Sequence, residues 1–532
     1  MALSLTSIVA VLAIFYFIYS YINSAIAERK FQKFARDNGC SAPFISANKL
    51  PWGIDRLWII LRAQSTGLDV LDDLIYKGQA AVKWTNEGSG IFGRKGLSTS
   101  EPKNLQAVLA TKFKDFEQGE LRHKQFGALL GVNVFNSDGP FWEHSRAMIR
   151  PQFSRDQIND LDDTEHSTQL FVQAIPIGAD GWGELDIGPL FYRFTLDTAT
   201  AFLFGSSVDS LKAALPGVDV KQLRNEAERF AQERSKADVN FSEAVSLAQT
   251  FLANRIRLQG LYWLADTPAF RRSVAYIRNF TGYYVQMALN ATGGDAEKGY
   301  NTSKKYNLMT ALASECRDEV ELRDQILALL FAGRDTTSAL LSWVFLEIAQ
   351  RPDVQQKLRQ AVQDDFGNDA QKLNFATLKS CKYLQHVLNE TLRYWPTVPV
   401  NNRTAVRDTV LPVGGGPNRD QPVAVRKGQL VNMMMYAMHR RKDIWGEDAL
   451  EFKPERWESR KLDWAFVPFS GGPRICLGQQ FALTEAAYLT VRILQTFDKI
   501  EWAGPAGKPR KGLGLTLFPR DGVRVRVRKA VR

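Results

Sequence analysis

The first pattern along the chain is an uncharged run, LSLTSIVAVLAIFYFIYSYI, at residues 3–22. Twenty residues of helix extend about 30 Å, the thickness of a bilayer's hydrocarbon core. The first charged side chain is Glu28, and Arg29, Lys30, Lys33 and Arg36 follow closely. By the positive-inside rule, that leaves the rest of the chain on the cytosolic side. Ala25-Ile26-Ala27 resembles a signal cleavage site, but the run is longer than a signal core and no basic segment precedes it. The expectation is a single-pass anchor at 1–27, then a linker at 28–55 holding Pro43 and the LPWGID turn, then a catalytic domain at 56–532.

Beyond the linker, helical periodicity dominates. Residues 79–114 predict two short strands and a helix, and 119–136, rich in Gly, Leu and Phe, shows no clear period. Gly139-Pro140 opens a helix, and amphipathic helices are predicted over 190–206, 220–235, 242–258 and 268–290. The longest covers 318–350, where Leu322, Ile326, Leu329, Leu330, Leu340, Val344, Phe345 and Ile348 recur near helical spacing until Pro352. At roughly 33 residues it would be about 50 Å long and would cross a whole domain. One further helix ends at Tyr394, ahead of Pro396, and another runs from Leu477 through Tyr488 to Phe497. At the end, 511–518 and 523–528 read as two strands paired through Pro519 to Gly522. Alternation there sets Arg524, Arg526 and Arg528 against Val523, Val525 and Val527.

Composition narrows the function classes. With 532 residues, 45% of them hydrophobic, the chain can bury a large core. Its net charge of +11, from 68 basic and 57 acidic residues, permits a nucleic acid, an anionic membrane or an acidic protein partner. No zinc spacing, RNA-binding aromatic pair or dense basic block supports nucleic acid. Four scattered cysteines, Cys40, Cys316, Cys381 and Cys476, argue against a disulfide framework and suit a reducing compartment.

One of those cysteines gathers fixed neighbours. In Phe469-Ser470-Gly471-Gly472-Pro473-Arg474-Ile475-Cys476-Leu477-Gly478, the cysteine sits just ahead of a helix, where free N–H groups and the helix dipole favour a thiolate. Gly478 leaves no side chain where a flat partner would press, and Arg474 offers a cation to an anionic group on that partner. In the middle of the longest helix, Ala332-Gly333-Arg334-Asp335-Thr336-Thr337 places an acid and hydroxyls in an apolar setting, where they cost energy unless bonded. A threonine bonding back to a carbonyl would account for part of it. Trp142 and Arg146 lie one helical turn apart, as do Glu390 and Arg393, and Pro454-Glu455-Arg456-Trp457 follows the second pair.

Together these stretches resemble the cytochrome P450 monooxygenases: F-x-x-G-x-R-x-C-x-G, A-G-x-D-T-T, W-x-x-x-R, E-x-x-R and the P-E-R-W turn all match, over about residues 40–525. The resemblance implies a mainly α fold, a large helical domain with a small β-rich part after one N-terminal transmembrane helix. It implies haem b (iron protoporphyrin IX) as cofactor, with Cys476 as the axial iron ligand and Phe469 and Gly478 completing the loop. Trp142, Arg146, Arg403 and Arg474 then meet the propionates, and His439 lies near the haem edge. Thr336 becomes the hydroxyl of a proton relay, and Asp335 helps deliver protons. Glu390, Arg393 and Arg456 form a structural triad that fixes the loop leading to Cys476. Phe126, Leu130, Val134, Phe331, Ala332, Val398, Val400, Leu515 and Leu517 become candidates for the substrate cavity. Asn301-Thr302-Ser303, a glycosylation sequon by pattern, would go unused on a cytosolic face.

The chain has no flavin- or nicotinamide-binding sequence. The resemblance therefore implies electrons from an NADPH-cytochrome reductase in the same endoplasmic reticulum membrane, with cytochrome b5 as an alternative donor, and dioxygen as co-substrate. Within the family, GIDRLW, ELRH, FAGRDTT and AMHRRKDIWGEDALEFKPERW resemble the fungal enzymes that hydroxylate n-alkanes and fatty acids at the chain end. Animal fatty-acid ω-hydroxylases often carry Glu at the position of Ala332 and esterify it to haem, which Ala332 cannot do. An apolar cavity would equally suit a terpenoid, sterol or polyketide. A haem-thiolate isomerase or dehydratase, or a haem sensor, would have no use for the Asp335-Thr336 relay.

Overall fold

The computed structural model describes residues 5–46, 50, 53–54, 58–59, 62, 69–89, 95–154, 161–219, 222–237, 239–292 and 307–530. Pro51, Trp52 and Asp55 of LPWGID and the sequon at 301–303 lie outside the described residues. Helices of ten residues or more, in chain order, are α1 (Leu5–Asp37), α2 (Glu120–Leu130), α3 (Gly139–Ile149), α4 (Asp162–Gln173), α5 (Gly188–Phe204) and α6 (Glu226–Ser235). They continue as α7 (Phe241–Arg257), α8 (Pro268–Ala291), α9 (Glu319–Gln350), α10 (Pro352–Phe366), α11 (Lys382–Tyr394) and α12 (Gln479–Thr496). The fold is mainly helical, as expected, and the chain divides into two compact units.

The first unit comprises residues 1–117 and 402–434. Its six-stranded sheet has the order β1 (Phe44–Ser46), β2 (Thr85–Ser89), β3 (Lys95–Thr99), β9 (Leu430–Met433), β6 (Asn401–Ala405), β4 (Phe116–Glu117). Beside it β7 (Thr409–Gly415) pairs with β8 (Gln421–Val425). The Asn104 side chain stands in for a strand neighbour: its amide donates to the Val413 carbonyl (2.9 Å) and its oxygen accepts from the Val413 N–H (3.1 Å). Helix α1 is long and apolar enough to cross a membrane. It continues past residue 27 to Asp37, and Phe44–Ser46 pairs with β2 in the sheet.

The second unit comprises 118–401 and 435–532 and is built on α9. Asp318 caps this helix by accepting from the Val320 and Glu321 N–H groups, and Pro352 opens the next one. From Asp324 to Ala349 every residue is buried except Ala332, Gly333 and Thr336. Phe345 packs on Phe191 of α5 with ring centroids 5.2 Å apart, and Trp343 stacks on Trp395 at 4.0 Å. The Trp343 indole N–H finds the Leu517 carbonyl and that of Trp395 the Glu347 carboxylate, so neither buried donor is left unmet.

The C-terminal strands pair differently from the sequence expectation. β11 (Lys511–Leu513) turns back on β12 (Leu517–Pro519), while β13 (Arg524–Lys529) lies between β10 (Phe497–Trp502) and β5 (Trp182–Asp186). The alternation itself holds: Val523, Val525 and Val527 are buried, and Arg524 and Arg526 are exposed. A strand with neighbours on both edges has its backbone N–H and C=O groups paired on both sides. Those neighbours lie about 25 and 340 residues away in sequence, beyond the reach of a local pattern.

Candidate active site

The cysteine loop is shaped by its backbone. The Cys476 N–H donates to the Phe469 carbonyl at 3.0 Å and closes the loop on itself. Ser470 and Gly472 take left-handed φ values of 63° and 65°, and a Cβ on Gly471 would sit 2.6 Å from the Trp464 ring. At Gly478 a Cβ would meet only Phe153, at an ordinary 3.5 Å, so the protein's own packing does not demand glycine there. Cys476 keeps accessible surface although protein crowds it, as expected of the wall of a recess. Burial pushes its thiol above the usual range, while the Gly478 N–H and the Arg146 guanidinium pull the other way. The helix end favours the thiolate as expected, but burial outweighs it in the protein alone; a coordinated cation would reverse that balance.

Guanidinium groups gather beside the loop. Arg146 Nη2 donates to the Ile475 carbonyl at 3.0 Å. Arg474 lies over the Trp142 ring at 4.2 Å and donates to the Ser137 carbonyl and to Asp138 Oδ1 (2.7 Å). A third cation, Arg122 of α2, was not expected from sequence; its Nη1 donates to Asn401 Oδ1 at 3.1 Å, and its Nε is buried with no partner among the described residues. Burial lowers Arg122 and Arg474 to about 10 each, and Arg474 is lowered further by repulsion from Arg122 and Arg146. Asp138 is the carboxylate that offsets them, and it is shared with the Gln118 and Gly119 N–H groups. Such a set of cations is suited to a ligand bearing carboxylates.

On α9 the accessible residues Ala332, Gly333 and Thr336 share one face, at i, i+1 and i+4. The Thr336 hydroxyl donates to the Ala332 carbonyl at 2.8 Å. Asp335 faces α7 instead: it accepts from the Gln249 amide and from Arg334 Nη1 (3.1 Å), and Arg334 also reaches Gln249 Oε1 and the Ser246 hydroxyl. Burial pushes Asp335 up to about 6 against the pull of Arg334. Behind the same turn, Glu485 of α12 accepts from the Thr198 hydroxyl and has the Thr337 hydroxyl beside it; burial pushes it up to about 8. Neither Arg334 nor Glu485 was singled out from sequence.

The predicted triad is brought together. Glu390 Oε1 accepts from Arg393 Nη2 (2.8 Å), the Lys453 N–H (2.8 Å) and Arg456 Nε (3.0 Å); Oε2 accepts from Arg393 Nε and the Trp457 indole. Arg393 spends its other donors on the carbonyls of His439, Ala449 and Glu451. His439 therefore belongs to this corner: its imidazole is buried against Phe466 and Trp445, and burial lowers it to about 3. It is not placed with the Cys476 set. Arg403 is buried on β6 in the first unit, where Nη1 donates to the Asn402 carbonyl.

Of the expected cavity residues, Phe126, Ala332, Val398, Val400 and Leu515 keep accessible surface. Leu130, Val134 and Phe331 are buried, and Leu517 is fully enclosed, with its N–H on the Thr397 carbonyl. Four of the accessible ones, Phe126, Val398, Val400 and Leu515, lie on segments joined by a ring of hydrogen-bonded links. Arg122 of α2 reaches Asn401, Leu517 reaches Thr397, Arg257 at the end of α7 reaches the Leu513 carbonyl, and Arg255 returns to the Gln125 and Lys124 carbonyls of α2.

Comparison with known proteins agrees with this geometry. Residues 93–510 match the family "Cytochrome P450". The chain is 42% identical over 498 residues to the cytochrome P450 monooxygenase g430 of Fusarium sp, covering 91% of this chain and 84% of that one. It is 41% identical over 517 residues to cytochrome P450 52A12 of Debaryomyces hansenii (96% and 95%), and 45% over 446 residues to cytochrome P450 52A1 of Candida tropicalis (81% and 78%). The family match and these relatives establish that the chain belongs to the cytochrome P450 family and is a P450 monooxygenase, an oxidoreductase with a haem-iron cofactor.

Proposed function

We propose that this enzyme hydroxylates the terminal carbon of n-alkanes or fatty acids, using haem b and electrons from an NADPH-cytochrome reductase. The observation that carries the reading is the accessible Ala332–Gly333–Thr336 face on an otherwise buried helix; in this reading the partly accessible Val398, Val400, Phe126 and Leu515 serve as its apolar walls. Such walls accept an unbranched chain without asking for hydrogen-bond partners along it. Likeness to a consistent group of P450 52A relatives supports the same reading.

In this reading Cys476 would hold the haem iron, Gly478 would leave the ring room, and Trp142, Arg146 and Arg474, joined by Arg122, would neutralise the propionates. When bound, the haem supplies the dioxygen chemistry: one oxygen atom enters a C–H bond and the other leaves as water, with two electrons from NADPH and two protons. The protein's part is positioning and proton handling. Thr336 keeps its hydroxyl at the recess and can both donate and accept there. Asp335, raised to about 6, can exchange protons near neutral pH from the far side of the same turn. The apolar walls exclude water from the chain end. Helix α1 supports a single-pass anchor in the endoplasmic reticulum membrane, where the reductase and a partitioned hydrocarbon substrate would meet it.

The test is turnover in membranes with reductase, NADPH and a panel of n-alkanes and fatty acids, with products read by mass spectrometry. Terminal alcohols or diacids are expected. A normal thiolate-type carbon monoxide spectrum with no chain-end product would overturn the substrate reading and turn the search to terpenoids, sterols and polyketides.

A further inference from the structure

The ring around the apolar recess contains arginines in two kinds of setting. Arg255, in the last turn of α7, pairs with Asp266 and donates to two backbone carbonyls of α2. Arg257, two residues on, has neutral partners instead: Nη1 donates to Asn254 Oδ1 at 2.8 Å and Nη2 to the Leu513 carbonyl. Among the described residues no carboxylate pairs with it, and burial lowers it with no charged neighbour acting in either direction. A guanidinium has five N–H donors, so two acceptors leave it with capacity for a carboxylate. Its position is also specific. Leu513 leads directly into the turn that carries Leu515, one of the accessible walls. Along α7, Arg257 lies eight residues beyond Gln249, about 12 Å of helix, and Gln249 is the residue that holds Asp335 beside Thr336.

We propose that Arg257 is a carboxylate-binding residue at the rim, so that a fatty acid lies with its head group at the end of α7 and its methyl end toward Thr336. The assignment rests on the chain-end reading above and deepens it by naming the acid as a preferred substrate class. It also gives that reading a physical basis for regiochemistry: a chain tethered by its head presents the opposite end to the α9 recess. An n-alkane has nothing to offer Arg257 and would be held by the walls alone.

Three probes of one chain length separate the contributions: dodecanoate, its methyl ester and dodecane. Binding to the purified holoenzyme is read from the shift each causes in haem absorption, and kcat/KM from product formation. In wild type, dodecanoate is expected to bind more tightly than its ester. Arg257→Gln is expected to weaken dodecanoate about 10- to 100-fold, the loss of one charge-assisted contact. The ester and dodecane should change less than about threefold, and Arg257→Lys should keep most of the acid affinity. An equal loss for all three probes in both variants would make Arg257 a strut between α7 and the β11–β12 turn, and would overturn the proposal. Dodecanoate binding unaltered in Arg257→Gln, with dodecane still hydroxylated at its end, would overturn the carboxylate site and leave the chain-end reading standing. Wild type that neither binds nor oxidises any of the probes would remove both.

Discussion

Two clusters of arginines in the second unit answer the same electrostatic problem in different ways. Around Glu390 the protein supplies everything: Arg393 and Arg456 share one fully buried carboxylate, Arg456 also pairs with Asp448, and their other donors end on backbone carbonyls. Around Cys476, Arg474 lies near both Arg122 and Arg146, Asp138 offsets Arg122 and Arg474, and burial and repulsion lower Arg474. A cluster that is complete in the polypeptide is structural. The second set has Asp138 between two of its cations, the charge balance expected if, as proposed, it receives the haem propionates.

The comparison breaks most sharply at Glu390. Glu390→Ala leaves Arg393 buried without its carboxylate, and the expected cost is about 3–5 kcal/mol. Urea unfolding of the haem-free protein should show that loss, because the cluster serves the fold whether or not haem is present. Arg122→Leu should behave in the opposite way. Haem retention, measured as transfer to an excess of apomyoglobin, is expected to weaken about tenfold or more, the value of one charge-assisted hydrogen bond. Unfolding of the haem-free protein should change by less than about 1 kcal/mol, since removing a desolvated cation also relieves repulsion on Arg474. A large loss in the haem-free state would place Arg122 with the structural arginines.

Glu485 is a third case, balanced by a proton rather than by a cation. With its carboxyl raised to about 8 in the folded protein against 4.5 unfolded, the folded state binds the extra proton between those values. Its contribution to stability is therefore full below about 4.5, declines as pH rises, and is lost above about 8. Glu485→Gln is expected to flatten that part of the pH–stability profile with little effect at acidic pH. An unchanged slope in the variant would mean that the carboxylate is charged in the fold.

What the sequence revealed of this molecule follows from how locally each feature is written. The cysteine loop, the break in α9 and the Glu390–Arg393 pair are fixed offsets within ten residues, and the structure assembles each from those residues. The bounds of α9 were legible for the same reason, since Asp318 and Pro352 act within one turn. Arg122, Glu485 and Arg257 were not, because an arginine or glutamate on a helix carries no mark of being buried until a distant segment closes over it. The pairing of β13 failed for a related reason: its alternation was correct, but the choice of neighbours belongs to the tertiary fold. For His439 the sequence left a place at the haem edge and a structural role equally open; its buried ring and the bond from Arg393 to its carbonyl are those of the Glu390 corner.

The unbroken run of α1 gives the first unit something like a keel. The helix passes from its apolar stretch through Glu28, which meets Arg426 at 2.7 Å, and through Phe31, over whose ring the same guanidinium lies at 3.9 Å. A rod clasped in this way transmits tilt, so the inclination of α1 in a bilayer would steer the sheet of that unit instead of leaving it to swing on a leash. Shortening the chain to Glu28 would spare the clasp, whereas shortening it to Asp37 would remove both of its contacts.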